Sequence, residues 1–173
     1  MQTDPQQLEH DTHKSLGKKY SLCFLAHDIG VSMNIGSFFR IADALGVEKV
    51  YLTGGSVVPP NGKLRKASRS TEKYVAYEYF EEPQTIINQL KSEGYKIVSL
   101  ELAENSLDLA DFKLEPSDKV CLILGSENEG VSDDLLKLSD EVVHIPMLGE
   151  NSSMNVAVAC SIAAYQITQQ LDL

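Results

Sequence analysis

No run of apolar residues in this chain approaches the length needed to cross a bilayer, so a membrane-spanning helix is excluded. The first residues, Met1 to His13, are polar and acidic, so no signal peptide is expected there. Cysteine is scarce: Cys23, Cys121 and Cys160 are odd in number, widely spaced and without a Cys-x-x-Cys pair. Each lies in an apolar stretch, as expected of buried thiols in a reducing cytoplasm rather than of a disulfide framework. The histidines at 10, 13, 27 and 144 lack metal-ligand spacing, so no metal is expected. There is no Gly-x-Gly-x-x-Gly and no P-loop, which argues against a dinucleotide or nucleoside-triphosphate fold.

Basic residues are scarce from Leu100 onward, with 3 against 14 acidic ones, whereas the preceding residues hold 12 and 11 and the whole chain carries −10. Most of such a surface repels a polyanion. One segment runs the other way. Between Asn61 and Lys73 lie Lys63, Arg65, Lys66, Arg69 and Lys73, opposed only by Glu72.

What remains is an ordinary globular balance, 43% apolar and 23% charged over 173 residues, enough for one domain with a substantial core. The expected division is an N-terminal arm, 1–19, and a domain, 20–173. Strands are expected at Tyr20–Ala26, Lys49–Thr53, Val75–Phe80, Lys96–Leu100, Val120–Leu124 and Glu141–Ile145. Helices are expected from Asn34, as N-cap, to Gly46, and over Pro83–Glu93, Ser132–Lys137 and Asn155–Gln170. Gly54 to Thr71 reads as a long irregular loop. This alternation predicts an α/β domain with a mostly parallel sheet flanked by helices. The last helix is apolar on two sides. Val156, Ala159, Cys160, Ala163 and Ile167 form one stripe, and Val158, Ile162 and Tyr165 form another. The second stripe therefore needs its own covering.

Three segments carry the chemistry. In Asn34-Ile-Gly-Ser-Phe-Phe-Arg40 the arginine lies about 140° around the helix from Ile35, off the apolar face. Gly125-Ser-Glu-Asn-Glu-Gly130 links a buried strand to a helix. Its carboxylates suit a cationic ligand better than a pyrophosphate, although on this segment alone a tight strand–helix turn with solvated carboxylates is the better account. Ile145-Pro-Met-Leu-Gly149 ends a strand, and Ser152, Ser153 and Asn155 crowd the start of the last helix. They read as a capping cluster, as reactive polar groups, or as both.

In this order the three segments resemble the signature motifs of the SPOUT superfamily, in its TrmH-like (SpoU) branch. The resemblance runs from about Tyr20 to the C-terminus and implies an RNA ribose 2′-O-methyltransferase using S-adenosylmethionine. It also implies a deep C-terminal trefoil knot over roughly Val120 to Ala164, and a homodimer packed through the last helix. It gives catalytic and positioning roles to Asn34, Arg40, Glu127, Ser153 and Asn155. Gly125, Ile145, Met147 and Met154, with Leu100, fall where the family wraps the cofactor. Met154 stands where relatives commonly have Leu, a swap close in volume. The basic segment becomes the candidate RNA contact. The 19 residues ahead of the first strand are too few for an added RNA-binding domain, which favours tRNA over rRNA as substrate. A SPOUT-fold RNA-binding or regulatory protein without methyltransferase activity is the alternative.

Overall fold

The computed structural model describes residues 15–171. The expected arm lies largely outside the described residues, with His10 and His13. The described elements alternate as anticipated. Strand β1 (Tyr20–His27) leads into α1 (Ser32–Leu45) and β2 (Val47–Thr53). Then come α2 (Gly62–Ser68), a 3-10 turn (Thr71–Lys73), β3 (Ala76–Phe80), α3 (Pro83–Ser92) and β4 (Tyr95–Leu100). A two-residue β5 (Leu107–Asp108) precedes β6 (Lys119–Leu124), α4 (Asp133–Leu138), β7 (Glu141–His144) and α5 (Val156–Leu171).

All seven described strands pair in parallel, in the order β3-β2-β1-β6-β4-β7-β5. Residues of β1 and β6 alternate between two cores. Leu22, Phe24 and Ala26 join Val120, Leu122 and Leu124 beneath α1 and α5. Cys23 and Leu25 join Cys121 and Ile123 beneath α3 and α4. Burial on both faces is why these strands read as continuous apolar runs. On α5, Cys160, Ala163, Ala164 and Ile167 are fully buried. The second stripe stays open, with Val158, Ile162 and Tyr165 respectively 51%, 41% and 57% exposed.

Three local expectations are corrected. Residues 54–71 are not one irregular loop, because α2 and the start of the 3-10 turn lie within them. The Asn61 side chain accepts from the backbone N–H groups of Lys63 and Leu64, both at 3.0 Å, and Leu64 is buried. A cap and one apolar anchor suffice to start the helix. Asn34 is not an N-cap: α1 begins at Ser32 after an extended Val31, and Asn34 is buried in its first turn. Finally, β5 has only two residues, too short a pattern to be read in advance.

Candidate active site

The C-terminal ends of β4, β6 and β7 adjoin one another, because β4 pairs with both β6 and β7. In parallel sheets this edge is where ligands collect. Here it opens into a cavity of about 490 Å³, within the usual range for small-molecule sites. Leu100, Gly125, Ile145, Met147 and Met154, the five residues expected to take a cofactor, all line it. Glu127 and Ser153 line it as well.

The turn after β6 is closed on itself. Ser126 and Gly130 exchange backbone hydrogen bonds at 3.1 and 3.0 Å. Gly125 is obligatory at its base, because a Cβ there would collide with the backbone of Gly130 and Val131. The turn thus holds Glu127-Asn128-Glu129 out along the cavity wall. Glu101, which sequence reading missed, fixes this turn to the end of β4. Its carboxylate accepts from the backbone N–H of Leu102 at 3.0 Å and of Val131 at 2.8 Å. Its only signal in the sequence is its place, one residue past a predicted strand. His144, also unanticipated, lines the cavity with Nδ1 3.0 Å from the Ser106 hydroxyl.

A chain of side-chain hydrogen bonds joins the three sequence segments. The Asn34 amide nitrogen donates to Glu127 Oε1 at 2.7 Å. Asn34 Oδ1 accepts from the Asn155 amide nitrogen at 3.1 Å. Asn155 Oδ1 in turn accepts from the backbone N–H groups of Ala157 and Val158 at the start of α5, at 2.9 and 3.2 Å. The polarity of this relay is forced. Helix N–H groups can only donate, so the Asn155 oxygen must face them and its nitrogen must face Asn34. Asn34 is then oriented with its own nitrogen toward the carboxylate. The expected capping cluster reduces to Asn155 alone. Ser153 makes no hydrogen bond among the described residues and borders the cavity instead.

Arg40 is exposed and is not part of the cavity wall. It lines a shallow neighbouring depression with Ser37, Ala67, Asn155 and Val158. Asn155 thus connects the arginine's surroundings to the relay. The basic segment borders the same depression through Ala67 of α2. Lys63, Arg65, Lys66, Arg69 and Lys73 are all exposed, and none pairs with a carboxylate among the described residues. Glu72, the segment's acid, turns inward onto the hydroxyl of buried Ser68. Gly36 on α1 lets α2 come this close. A Cβ there would lie 2.7 Å from Ala67 Cβ and 3.0 Å from Ser68 N.

The sequence profile of the SpoU rRNA Methylase family matches residues 21–165, which include every element from β1 into α5. The chain belongs to the SpoU family. Among SpoU relatives, a tRNA (guanosine(18)-2′-O)-methyltransferase of Escherichia coli is 27% identical over 79% of this chain and 58% of its own length. A 23S rRNA guanosine 2′-O-methyltransferase of Bacillus subtilis is 31% identical over 78% of this chain and 52% of its own. The chain thus spans somewhat more than half the length of these curated relatives. The SpoU methyltransferase AviRb from Streptomyces viridochromogenes, solved in complex with the cofactor AdoMet, superposes with a TM-score of 0.78 at 25% identity. The match covers 86% of this chain and 59% of that one.

Proposed function

We propose that this protein is an S-adenosylmethionine-dependent RNA ribose 2′-O-methyltransferase, with tRNA ahead of rRNA as substrate, acting in the cytoplasm. The observation that carries the reading is the Glu127–Asn34–Asn155 relay, which ties all three sequence segments together beside the cavity. The names of the tRNA and rRNA relatives and the AdoMet-bound AviRb structure support the same reaction class.

The cavity suits such a cofactor chemically. Its wall includes Glu101, Glu127 and Glu129 and no lysine or arginine. That favours a ligand bearing a sulfonium and an amino group over an anionic one. Leu100, Gly125, Ile145, Met147 and Met154 would hold it. When bound, S-adenosylmethionine supplies an electrophilic methyl group. The residues of this chain must then manage the alcohol. A guanidinium makes no general base in a protein, so Arg40 is not the proton acceptor. Its role is to hold the phosphate next to the target ribose and to stabilise negative charge growing on the 2′ oxygen. A phosphate oxygen or water takes the proton. Ser153 and Asn155 position the ribose and the arginine, and Glu127 with Asn34 fixes Asn155. Lys63, Arg65, Lys66, Arg69 and Lys73 attract the RNA backbone.

The reading includes a single catalytic domain over 20–173 and a homodimer through α5. The open stripe of Val158, Ile162 and Tyr165 supports the dimer, because it adjoins the Arg40 depression through Val158. It also includes the C-terminal trefoil knot over Val120–Ala164. The placement of β6 between β1 and β4, with α5 returning across all three, accords with it.

The test is methyl transfer from labelled S-adenosylmethionine to tRNA and, separately, to ribosomal RNA, followed by mass spectrometry of the digested nucleosides. A 2′-O-methylnucleoside is expected. Calorimetric titration that detects no cofactor binding, together with no methyl transfer to either RNA, would sink the proposal. Sedimentation of the wild type against Ile162→Glu checks the dimer, which the introduced charge should dissociate.

A further inference from the structure

The 3-10 turn that follows α2 ends on Tyr74, which is 77% exposed and whose side chain makes no hydrogen bond and stacks on no other ring among the described residues. Solitary exposed aromatics are common. This one stands beside the positive surface that the net charge of −10 makes exceptional. Lys73 precedes it, and Arg69 and Ser70 before that are both held in left-handed conformations, at φ 53° and 68°. Non-glycine residues adopt that region only when their surroundings impose it. The imposing contacts are visible here. Ser68 Oγ accepts from the Ser70 N–H at 3.1 Å, the Thr71 hydroxyl donates to the Ser68 carbonyl at 2.8 Å, and Glu72 closes on the Ser68 hydroxyl. The turn also packs against α1, the helix that carries Arg40. A rigid turn therefore fixes an open aromatic face next to five cations that pair with no carboxylate among the described residues.

We propose that α2 and this turn form a binding site for an unpaired stretch of RNA, in which the cations hold the phosphates and one base stacks on Tyr74. Charge complementarity selects a polyanion, and a free π-face selects one that has unstacked bases to offer. A duplex or a polyanion without bases satisfies only the first requirement. The site rests on the proposed RNA methyltransferase reading and makes it more specific, because it requires a single-stranded nucleotide near the target ribose.

The test compares binding of a labelled oligoadenylate, the same strand in a duplex, and heparin to the full chain and to Tyr74→Phe and Tyr74→Ala. The wild type should bind the single strand more tightly than the duplex. Tyr74→Ala should lose about tenfold for the single strand alone, and Tyr74→Phe should retain it. The chain contains no tryptophan, so quenching of tyrosine emission by the oligonucleotide, absent in Tyr74→Phe, reports the stack directly. Equal affinity of Tyr74→Ala and wild type for the single strand, or equal loss for heparin, overturns the site. S-adenosylmethionine titration and methyl transfer to tRNA, run in parallel, keep that failure distinct from failure of the methyltransferase reading.

Discussion

Arg40 and Asn34 sit six residues apart on one helix and do opposite things. Arg40 is exposed, while Asn34 is buried and hydrogen-bonded on both sides of its amide. If the arginine's planar fork grips a phosphate and faces the developing oxyanion, lysine cannot replace it. Single-turnover methylation should then fall ~10²–10³-fold in Arg40→Ala and nearly as far in Arg40→Lys. Near-wild-type turnover in the lysine variant would refute the bidentate role. Asn34→Asp replaces the donor facing Glu127 with a second carboxylate. It should cost about 1–3 kcal/mol of stability, because a satisfied polar chain becomes a repulsive one. The loss should appear in thermal melts at neutral pH and shrink as the pH falls toward the carboxylate range. The importance of these residues was legible from their spacing. Their partners were not, because a pattern read along one strand of text cannot show that Asn34 reaches Glu127 and Asn155. Glu101 escaped notice for the same reason: its two acceptor contacts are to backbone groups, one of them thirty residues on.

The pairing of α1 with α2 depends on the absence of a single methyl group. Gly36→Ala places a Cβ against Leu64, Ala67 and Ser68, mostly backbone that cannot swing aside. The basic helix should therefore shift away from the arginine's depression, at about 1–3 kcal/mol in stability. RNA affinity should weaken several-fold while calorimetric affinity for S-adenosylmethionine is unchanged. Equal weakening of both would mean that α2 serves the cofactor cavity instead. Most elements were foreseeable, since apolar periodicity marks α1, α3 and α5 and continuous apolar runs mark β1 and β6. The segment before β3 was misread because its three glycines and paired prolines outweighed a seven-residue helix started by one asparagine. The open stripe on α5 was foreseen from its spacing, and the described chain leaves it uncovered.

At the scale of the molecule, three thiols lie inside two cores. Burial raises the Cys160 thiol far above its ordinary range, and burial with the neighbouring Cys121 raises Cys23. A raised folded-state value means the folded chain holds its thiol protons longer than the unfolded chain, whose thiols titrate near ~8.5. The stabilisation these groups contribute is therefore full below about pH 8.5 and declines as the pH rises past it. Cys23 and Cys160 should each remove roughly 1.4 kcal/mol per pH unit once well above that point. Urea unfolding at pH 8 and pH 10, compared between wild type and Cys160→Ala, checks this. The variant starts weaker and should show a shallower alkaline decline.

The strand order has a consequence for how the chain comes off the ribosome. Strand β1 is made before the other described strands, yet one of its two neighbours is β6, whose residues begin at Lys119. Until they emerge, β1 and β4 each offer a bare edge of backbone groups to any other chain nearby. Long-range parallel pairing of this kind is slow and leaves intermediates prone to clumping. Nascent chains stalled before residue 119 should thus depend most on chaperones, and the cavity cannot form until its lining residues, as far as Ala159, have been made.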